Sequence, residues 1–308
     1  VLVPPAAVGP FVYVSGLAFL GPSFVLPIRR VSNDFEYLVQ GSTAFDRHIL
    51  DWGGDVQRKQ LNEFQADGIR GIFGFDANFG RSPIQNFLDG KATRYTTVLG
   101  ELYRGFRRTN FNLYLNDRVR IGGNLHLTLG LRYEFSGKPA EVNQLTDFGH
   151  DSDANNFAPR VGLSWNRGNT GIRAGYGISY GSVFPATFRL ARLNPPGVAR
   201  VRLQSPNLLD PLKDFVQEPG KTPRSGLNLM DPELVTPYSH QFTLEFERKL
   251  FADLRVKATY IGNRTWKLFR IVRENRAERV EGISFETKTT NDRRPDRRFF
   301  SVARMTNQ

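Results

Sequence analysis

Residues 123–137, GNLHLTLGLRYEFSG, alternate apolar and polar side chains with a period of two. The apolar positions are Leu125, Leu127, Leu129, Leu131, Tyr133 and Phe135. The polar positions between them are His126, Thr128, Gly130, Arg132 and Glu134. This period predicts a β-strand with one apolar and one polar face. The strand alone leaves open whether the apolar face meets a protein core, a partner or a lipid tail.

The same alternation recurs along the chain, in segments 109–121, 171–181, 240–250 and 253–264, and less regularly in 47–59 and 158–166. Short links join these segments in pairs, namely FDRH (45–48), GGN (122–124), RGNT (167–170) and FAD (251–253). Their Gly, Asn and Asp residues favour tight hairpin turns. Long irregular segments rich in Pro, Asn, Asp and Arg lie between the pairs, at 137–155, 183–237 and 265–296. We expect hairpins that are connected by long loops.

This asymmetry of turns and loops favours one all-β architecture over another. Long structureless loops are uncommon in a compact soluble domain, whereas outer-membrane barrels combine short periplasmic turns with long extracellular loops. Strands of about ten residues also suit a tilted bilayer span. We therefore predict an all-β fold, an antiparallel up-and-down transmembrane β-barrel segment. The alternative is a soluble carbohydrate-binding β-sandwich, in which the polar face meets water and the apolar face is buried between two sheets.

The two faces give the candidate site residues. We expect the apolar positions of three strands to face lipid, namely Leu125, Leu127, Leu129, Leu131, Phe242, Leu244, Phe246 and Val256. The charged positions of the opposite face are the candidates for a polar lumen, namely Arg118, Arg120, Arg132, Glu134, Arg160, Arg173, Glu245, Glu247, Arg255 and Lys257. Tyr133 and Phe135, near the strand end, are predicted to mark the outer membrane boundary.

Residues 1–28 contain no charged side chain and end against Arg29 and Arg30. Five prolines and three glycines interrupt this stretch, so it is not expected to form a transmembrane helix. The spacing predicts one or two short strands over about residues 11–20 instead.

Composition excludes several kinds of chemistry. The sequence has no cysteine, which rules out disulfides and thiolate sites. The four histidines are scattered, and the acidic segment 146–156 lacks the spacing of a calcium loop and is expected to be a solvated loop. The glycine-rich GYGISYG at 175–181 continues a strand pattern and does not open a nucleotide-binding helix. We predict no catalytic residues, no metal site and no cofactor, and hence not an enzyme.

The chain is basic, with 42 Lys and Arg against 30 Asp and Glu and a formal net charge of +12. Its charges are spread along the chain beside acids, as in DRRPDRR at 292–298. A nucleic-acid interface requires a basic stripe or patch, so we expect no nucleic-acid partner. A basic nucleic-acid binder remains the third alternative, and its binding would depend steeply on salt.

Four stretches resemble the barrel of TonB-dependent outer-membrane receptors: LYLNDRVRIGGNLHLTLGLRYE (113–134), NNFAPRVGLSWN (155–166), IRAGYGISYG (172–181) and TPYSHQFTLEFERKLFADLRVKATYIGNR (236–264). SPIQNFLDG (82–90) is similar to a segment that recurs in the same barrels. The resemblance covers about residues 35–308, and the nearest group is the large Oar-like branch, which often carries a carboxypeptidase-regulatory-like domain.

This resemblance implies a location in the outer membrane of a Gram-negative bacterium and energy-coupled uptake of a nutrient. The implied partners are outer-membrane lipid, a plug domain, the energy-coupling TonB protein and an unidentified ligand, for which loops 183–237 and 265–296 are the candidate contacts. A porin or an adhesion or surface-assembly barrel is the alternative. We count roughly a dozen strands against about twenty-two in plugged transporters. Residues 1–308 are therefore expected to be a partial barrel domain, without the plug domain and the C-terminal strands.

Overall fold

The structure is a computed structural model that describes residues 9–78, 80–181, 189–213, 215, 224–251, 254–282 and 292–307. In chain order the described elements are β1 (Phe11–Val14), β2 (Ala18–Leu20), β3 (Ile28–Phe45), β4 (His48–Gln65), β5 (Ile72–Phe75), α1 (Pro83–Leu88), β6 (Arg94–Gly100), β7 (Arg104–Ile121), β8 (Leu125–Ser136), β9 (Ala140–Glu141), β10 (Phe157–Arg167), β11 (Thr170–Tyr180), a 3-10 helix (Arg189–Leu193), β12 (Val198–Gln204), β13 (Ser225–Met230), β14 (Tyr238–Lys249), β15 (Arg255–Trp266), β16 (Arg270–Arg273) and β17 (Phe299–Thr306).

The long strands form one antiparallel sheet, which we call the wall. Its order is β3-β4-β7-β8-β10-β11-β14-β15, and the short β9 pairs with β7 beside this path. Each long strand therefore lies next to the long strand that follows it along the chain, which is an up-and-down arrangement. This confirms the predicted fold class. Among the described residues, no helix is long and apolar enough to cross a membrane.

The tight links all lie at one end of the wall, which we call the turn end. The last pairs before these links are Phe45–His48, Ile121–Leu125, Arg167–Thr170 and Lys249–Arg255. Asp46, Gly122 and Gly168 adopt left-handed backbone angles there, with φ of 49°, 63° and 58°. Asp and Gly tolerate this conformation, so the three predicted links at 45–48, 122–124 and 167–170 are confirmed. Residues 252 and 253 of the predicted link 251–253 lie outside the described residues, and the strands on either side of it, β14 and β15, are paired.

The opposite, loop end of the wall carries a second folded layer, which we call the cap. It consists of a five-stranded sheet in the order β12-β6-β5-β1-β2, a three-stranded sheet in the order β13-β17-β16, α1 and the 3-10 helix. The expectation of structureless loops was therefore wrong, since segment 183–237 contains β12 and β13 and segment 265–296 contains β16. Parts of both segments lie outside the described residues. The strands predicted near residues 11–20 are confirmed as β1 and β2.

The apolar core of the described chain lies in the cap and at the loop end of the wall. One cluster joins Val98, Leu102 and Val198, with exposed fractions of 0–1%. A second cluster packs Phe106 of β7 against Phe148, Ala191 and Met230. A third joins the five-stranded sheet through residues of β1, β5 and β6. The middle of the wall contributes no apolar side chain to any of these clusters.

Candidate functional site

The polar face of β11, β14 and β15 carries a ladder of opposite charges. The Arg173 guanidinium lies 2.5 Å from Glu245 and 3.2 Å from Glu247. Lys257 lies 2.5 Å from the second oxygen of Glu245, and Arg255 pairs with Glu247. The register explains this grouping, because Arg173 lies opposite Glu245 and Lys257 lies opposite Glu247. Five residues that the sequence predicted for one face therefore form a single network.

The other predicted polar-face residues lie further along the wall. Arg118 donates to both carboxylate oxygens of Asp51, at 2.9 and 3.1 Å, and Arg132 lies 3.0 Å from Glu134. In the described part of the chain, neither Arg120 nor Arg160 takes part in an ion pair. The polar face thus combines internally neutralised networks with exposed cations.

The predicted apolar residues share the opposite face of the wall. Leu127 lies opposite Val119 and Leu163, and Leu244 lies opposite Ala174 and Tyr260. Leu125 and Leu127 are half-buried by their neighbours. The remaining six predicted residues are exposed by between 37% and 53%, namely Leu129, Leu131, Phe242, Leu244, Phe246 and Val256. A continuous exposed apolar surface of this extent marks a protein or membrane contact.

Aromatic side chains form a row across this apolar face near the loop end. Its members are Phe111, Tyr133, Phe135, Phe157, Tyr180, Tyr238 and Trp266. Neighbouring ring centroids lie between 4.6 and 6.0 Å apart within two groups, one from Phe111 to Phe157 and one from Tyr180 to Trp266. Between the groups, the Tyr180 hydroxyl donates to the Phe157 carbonyl at 3.3 Å. Tyr133 and Phe135 belong to the row as expected. Phe157, Tyr238 and Trp266 were missed, because the pattern within one strand does not show which residues of other strands lie at the same height.

The height of the apolar face suits a membrane. Leu125 and Phe135 are ten residues apart in β8, which is about 34 Å at roughly 3.4 Å per residue. A strand tilted by about 40° covers roughly 26 Å along the membrane normal over that length, close to the apolar band of about 25 Å in outer-membrane barrels. β3, β4 and β7 are longer, at 18 residues each, and extend past the aromatic row into the cap.

One carboxylate interrupts the apolar face close to the turn end. Asp117 lies opposite Leu50 and Leu129, and its Oδ2 lies 2.8 Å from Nδ1 of His48. The His48 ring stacks on Phe45, with centroids 5.3 Å apart. Asp117 interrupts the apolar alternation of segment 109–121, and its partner His48 lies 69 residues away in the sequence.

A buried ion network joins the cap to the wall. Glu63 of β4 is fully buried and accepts from Arg30 at 2.7 Å. Arg192 of the 3-10 helix pairs with Asp67 and lies 3.8 Å from Glu63. Gln65 completes the group, since it accepts from Arg30 and donates to Asp67, both at 2.7 Å. No pattern in the sequence indicates this network, because Arg192 and Asp67 are 125 residues apart.

Arg104 holds three cap segments at the start of β7. Its guanidinium is fully buried and donates to the backbone carbonyls of Glu101 at 2.6 Å and of Arg192 at 2.9 Å. It also donates to the Thr146 hydroxyl at 2.9 Å. A buried arginine with this set of acceptors fixes the loops around it, so the cap is anchored to the wall by polar contacts as well as by its apolar core.

The acidic segment 146–156 is a loop, as predicted, but it is only partly solvated, because Asp147 and Asp151 are exposed while other residues pack into the cap. Phe148, His150 and Asn156 are all buried, and Asp153 accepts from the backbone N–H of Thr236 at 2.8 Å. Burial, reinforced by the Arg108 charge, lowers the pKa of His150 below its ordinary value of 6.5. Among the described residues, no group of three or more His, Asp or Glu side chains is placed to hold a metal ion.

The sequence matches the family of the outer membrane beta-barrel domain over residues 3–152 and 145–308. The chain belongs to this family. The barrel is therefore an outer-membrane protein of a Gram-negative bacterium, and the wall is part of its transmembrane sheet. Because short turns lie on the periplasmic side of such barrels, the turn end is periplasmic and the cap is extracellular. No curated protein matches the sequence.

Solved structures are similar to this chain at low sequence identity, and one of them, the transporter YddB, shares the fold. The outer membrane transporter YddB from Escherichia coli has a TM-score of 0.52 and 15% identity, over 91% of this chain and 29% of that one. The siderophore receptor PirA from Pseudomonas aeruginosa has a TM-score of 0.34 and 10% identity, over 91% and 45%. The alcaligin receptor FauA from Bordetella pertussis has a TM-score of 0.34 and 13% identity, over 91% and 42%. The 308 residues thus span less than a third of the length of YddB.

Proposed function

We propose that the barrel is part of a TonB-dependent outer-membrane receptor of the Oar-like branch that imports a nutrient. The observation that carries this proposal is the pairing of a membrane-type wall with a folded extracellular cap that is anchored on the wall's polar face. Glu63, Phe106 and Arg104 belong to that face and contact the cap. A cap in this position lies over the mouth of the lumen, where a scarce ligand must be recognised. The fold shared with the transporter YddB supports the same role.

In this proposal the described residues supply one portion of the barrel. The plug domain and the remaining strands belong to the rest of the polypeptide, since YddB is more than three times as long as the matched region. The polar face of the wall, with its ladder around Arg173, faces the lumen and the plug. The cap carries the ligand contacts, in loops 183–237 and 265–296. TonB then drives the plug from the periplasmic side.

The test uses the full-length protein and two probes. First, reconstituted in a planar bilayer in KCl, it is expected to show no steady ion conductance, because a plug closes the lumen. Second, the purified periplasmic domain of TonB is expected to bind it. Steady conductance without TonB binding would identify a porin. A closed barrel without TonB binding would identify an adhesion or surface-assembly protein. Either result overturns the transport proposal.

Cysteine labelling tests which face of the wall meets lipid. These 308 residues contain no cysteine, so a single introduced thiol reports on its own position. We propose that Leu244 faces lipid and Thr243 faces the lumen. In the full-length protein in its membrane, Leu244→Cys should react with an apolar maleimide that partitions into lipid and resist a charged thiosulfonate. Thr243→Cys should show the reverse preference. Equal labelling of both variants by the charged reagent would contradict the assignment and favour the soluble β-sandwich.

A further inference from the structure

The apolar face of β14 and β15 carries two nitrogen-containing side chains beside the aromatic row. His240 lies opposite Arg264, directly below the pair formed by Tyr238 and Trp266. Both residues have the parity of Leu244 and Tyr260, so they point to the same side as the apolar residues. In an outer-membrane barrel this position is the boundary between hydrocarbon and headgroups on the extracellular side.

Arg264 has no acidic partner in the described part of the chain, in contrast to the cations on the other face of β11 and β15. Arg173, Arg255 and Lys257 all pair with Glu245 or Glu247. Arg264 instead lies over the Trp266 ring, with its guanidinium carbon 5.0 Å from the ring centroid, and its side chain is exposed. A guanidinium beside hydrocarbon needs an anion or water, and long side chains reach the interface to find one.

His240 is held in place next to this guanidinium. Its Nδ1 lies 2.6 Å from the Tyr176 hydroxyl, and its ring meets the Trp266 ring edge-on at 4.6 Å. Tyr238 stacks on Trp266 with their planes 14° apart. With Nδ1 engaged by Tyr176, Nε2 is the nitrogen available to a ligand. The Arg264 guanidinium and His240 Nε2 therefore lie beside the same aromatic rings, at the same level of the wall.

We propose that Arg264 and His240 bind the phosphate of a lipid headgroup at the extracellular membrane boundary. The phosphate anion would neutralise the charge of Arg264. Guanidinium–phosphate contacts are among the strong charge-assisted hydrogen bonds. The acyl chains of the same lipid lie along the apolar face below, over Phe242 and Leu244. The inference rests on the lipid-facing assignment of this face and does not depend on transport.

The experiment measures lipid binding to the full-length protein in a non-ionic detergent by native mass spectrometry. The probe is dioctanoyl phosphatidic acid, and dioctanoylglycerol and inorganic phosphate are the comparison ligands. Arg264→Gln should weaken binding of the phosphatidic acid by about five-fold, because each basic residue near a membrane surface contributes about 1 kcal/mol. His240→Gln should weaken it to a smaller extent. Binding should also weaken as salt is raised.

Arg248→Gln is the matched control, because Arg248 has the same charge and the same face but lies at the turn end. It should leave binding unchanged. Equal losses in the two arginine variants, or no loss in Arg264→Gln, would overturn the site. Binding of inorganic phosphate with the same affinity would identify a soluble anion as the ligand and overturn the lipid assignment. In either case, normal labelling of Leu244→Cys by the apolar maleimide would still support the lipid-facing assignment of this side of the wall. Failure of the phosphate site can therefore be distinguished from failure of that assignment.

Discussion

The wall and the cap use apolar residues in opposite ways. In the wall, Leu131 and Leu244 are exposed by 48% and 53% and point away from the protein. In the cap, Val98 and Leu102 are each 1% exposed and pack against one another. The wall therefore leaves its apolar face to an external partner, which we propose is lipid, and the cap builds a core of its own, as soluble domains do. The same 308 residues therefore bury apolar side chains in the cap and expose them on one face of the wall.

Charged side chains differ in burial between the wall and the cap in the same way. Wall charges such as Arg173 and Lys257 remain about half exposed, with side-chain exposures of 49% and 54%. In the cap network, Arg192 and Glu63 are exposed by 4% and 0%. Partly exposed pairs contribute little to stability, whereas breaking a buried pair leaves an uncompensated charge. The cap should consequently be far more sensitive than the wall to the loss of a single charged residue.

The largest expected effect is loss of the buried cation between cap and wall. Arg192→Met leaves Glu63 and Asp67 without their shared partner and should destabilise the cap by about 3–5 kcal/mol. Hydrogen exchange of residues 189–204 in the full-length protein measures this as lost protection. Arg297→Met is the control, because Arg297 is exposed, and it should change protection by less than about 0.5 kcal/mol. Equal effects of the two variants would contradict a structural role for the network.

A matched pair of leucines tests the two kinds of burial. Leu102→Ala removes a side chain from the cap core and should cost about 2–5 kcal/mol. Leu131→Ala removes an equal side chain from the wall, where lipid can fill the space, so only the transfer free energy is lost and the cost should be about 1–2 kcal/mol. Chemical unfolding of the barrel in lipid vesicles compares both variants. If Leu131→Ala cost as much as Leu102→Ala, the apolar face would be packed against protein.

A pair of charge insertions tests the facing of the wall. Leu244→Arg places a guanidinium in the middle of β14 on the apolar face and should cost about 2–4 kcal/mol. Thr243→Arg places it one residue away on the polar face, beside Glu245, and should cost close to nothing. The same vesicle measurement applies. The reverse order of the two costs would show that the faces are assigned the wrong way round.

The wall could be predicted from the sequence because its information is local. Alternation within one strand assigns its faces, and a link of two or three residues fixes the register of the next strand. The five members of the Arg173 network were placed on one face for this reason. The sequence did not show which of them pair, since β11 and β14 are separated by 57 residues.

The cap could not be predicted because its strands are short and find distant partners. β1 has four residues and pairs with β5, about 60 residues along the chain, and β13 pairs in parallel with β17, whose register partners Ser225 and Phe299 are 74 residues apart. Four to eight residues carry too little alternation to indicate a strand. Parallel strands are not joined by a tight turn, so no turn motif in the sequence predicts that they pair. Arg192 looked like an ordinary basic residue of a loop for the same reason.

The smallest expected effect is a pH dependence of the cap near neutral pH. Because burial lowers the pKa of His150 below 6.5, the unfolded cap binds a proton that the folded cap does not. The cap should therefore lose stability as the pH falls from about 6.5 through the pKa of the folded state, and gain nothing further above that range. Hydrogen exchange of residues 140–156, corrected for the intrinsic rate at each pH, should show less protection at pH 5 than at pH 7.5.

His150→Gln should remove this difference, and His126→Gln, on the polar face of β8, should retain it. A pH dependence that survives in His150→Gln would place the titrating group elsewhere in the cap.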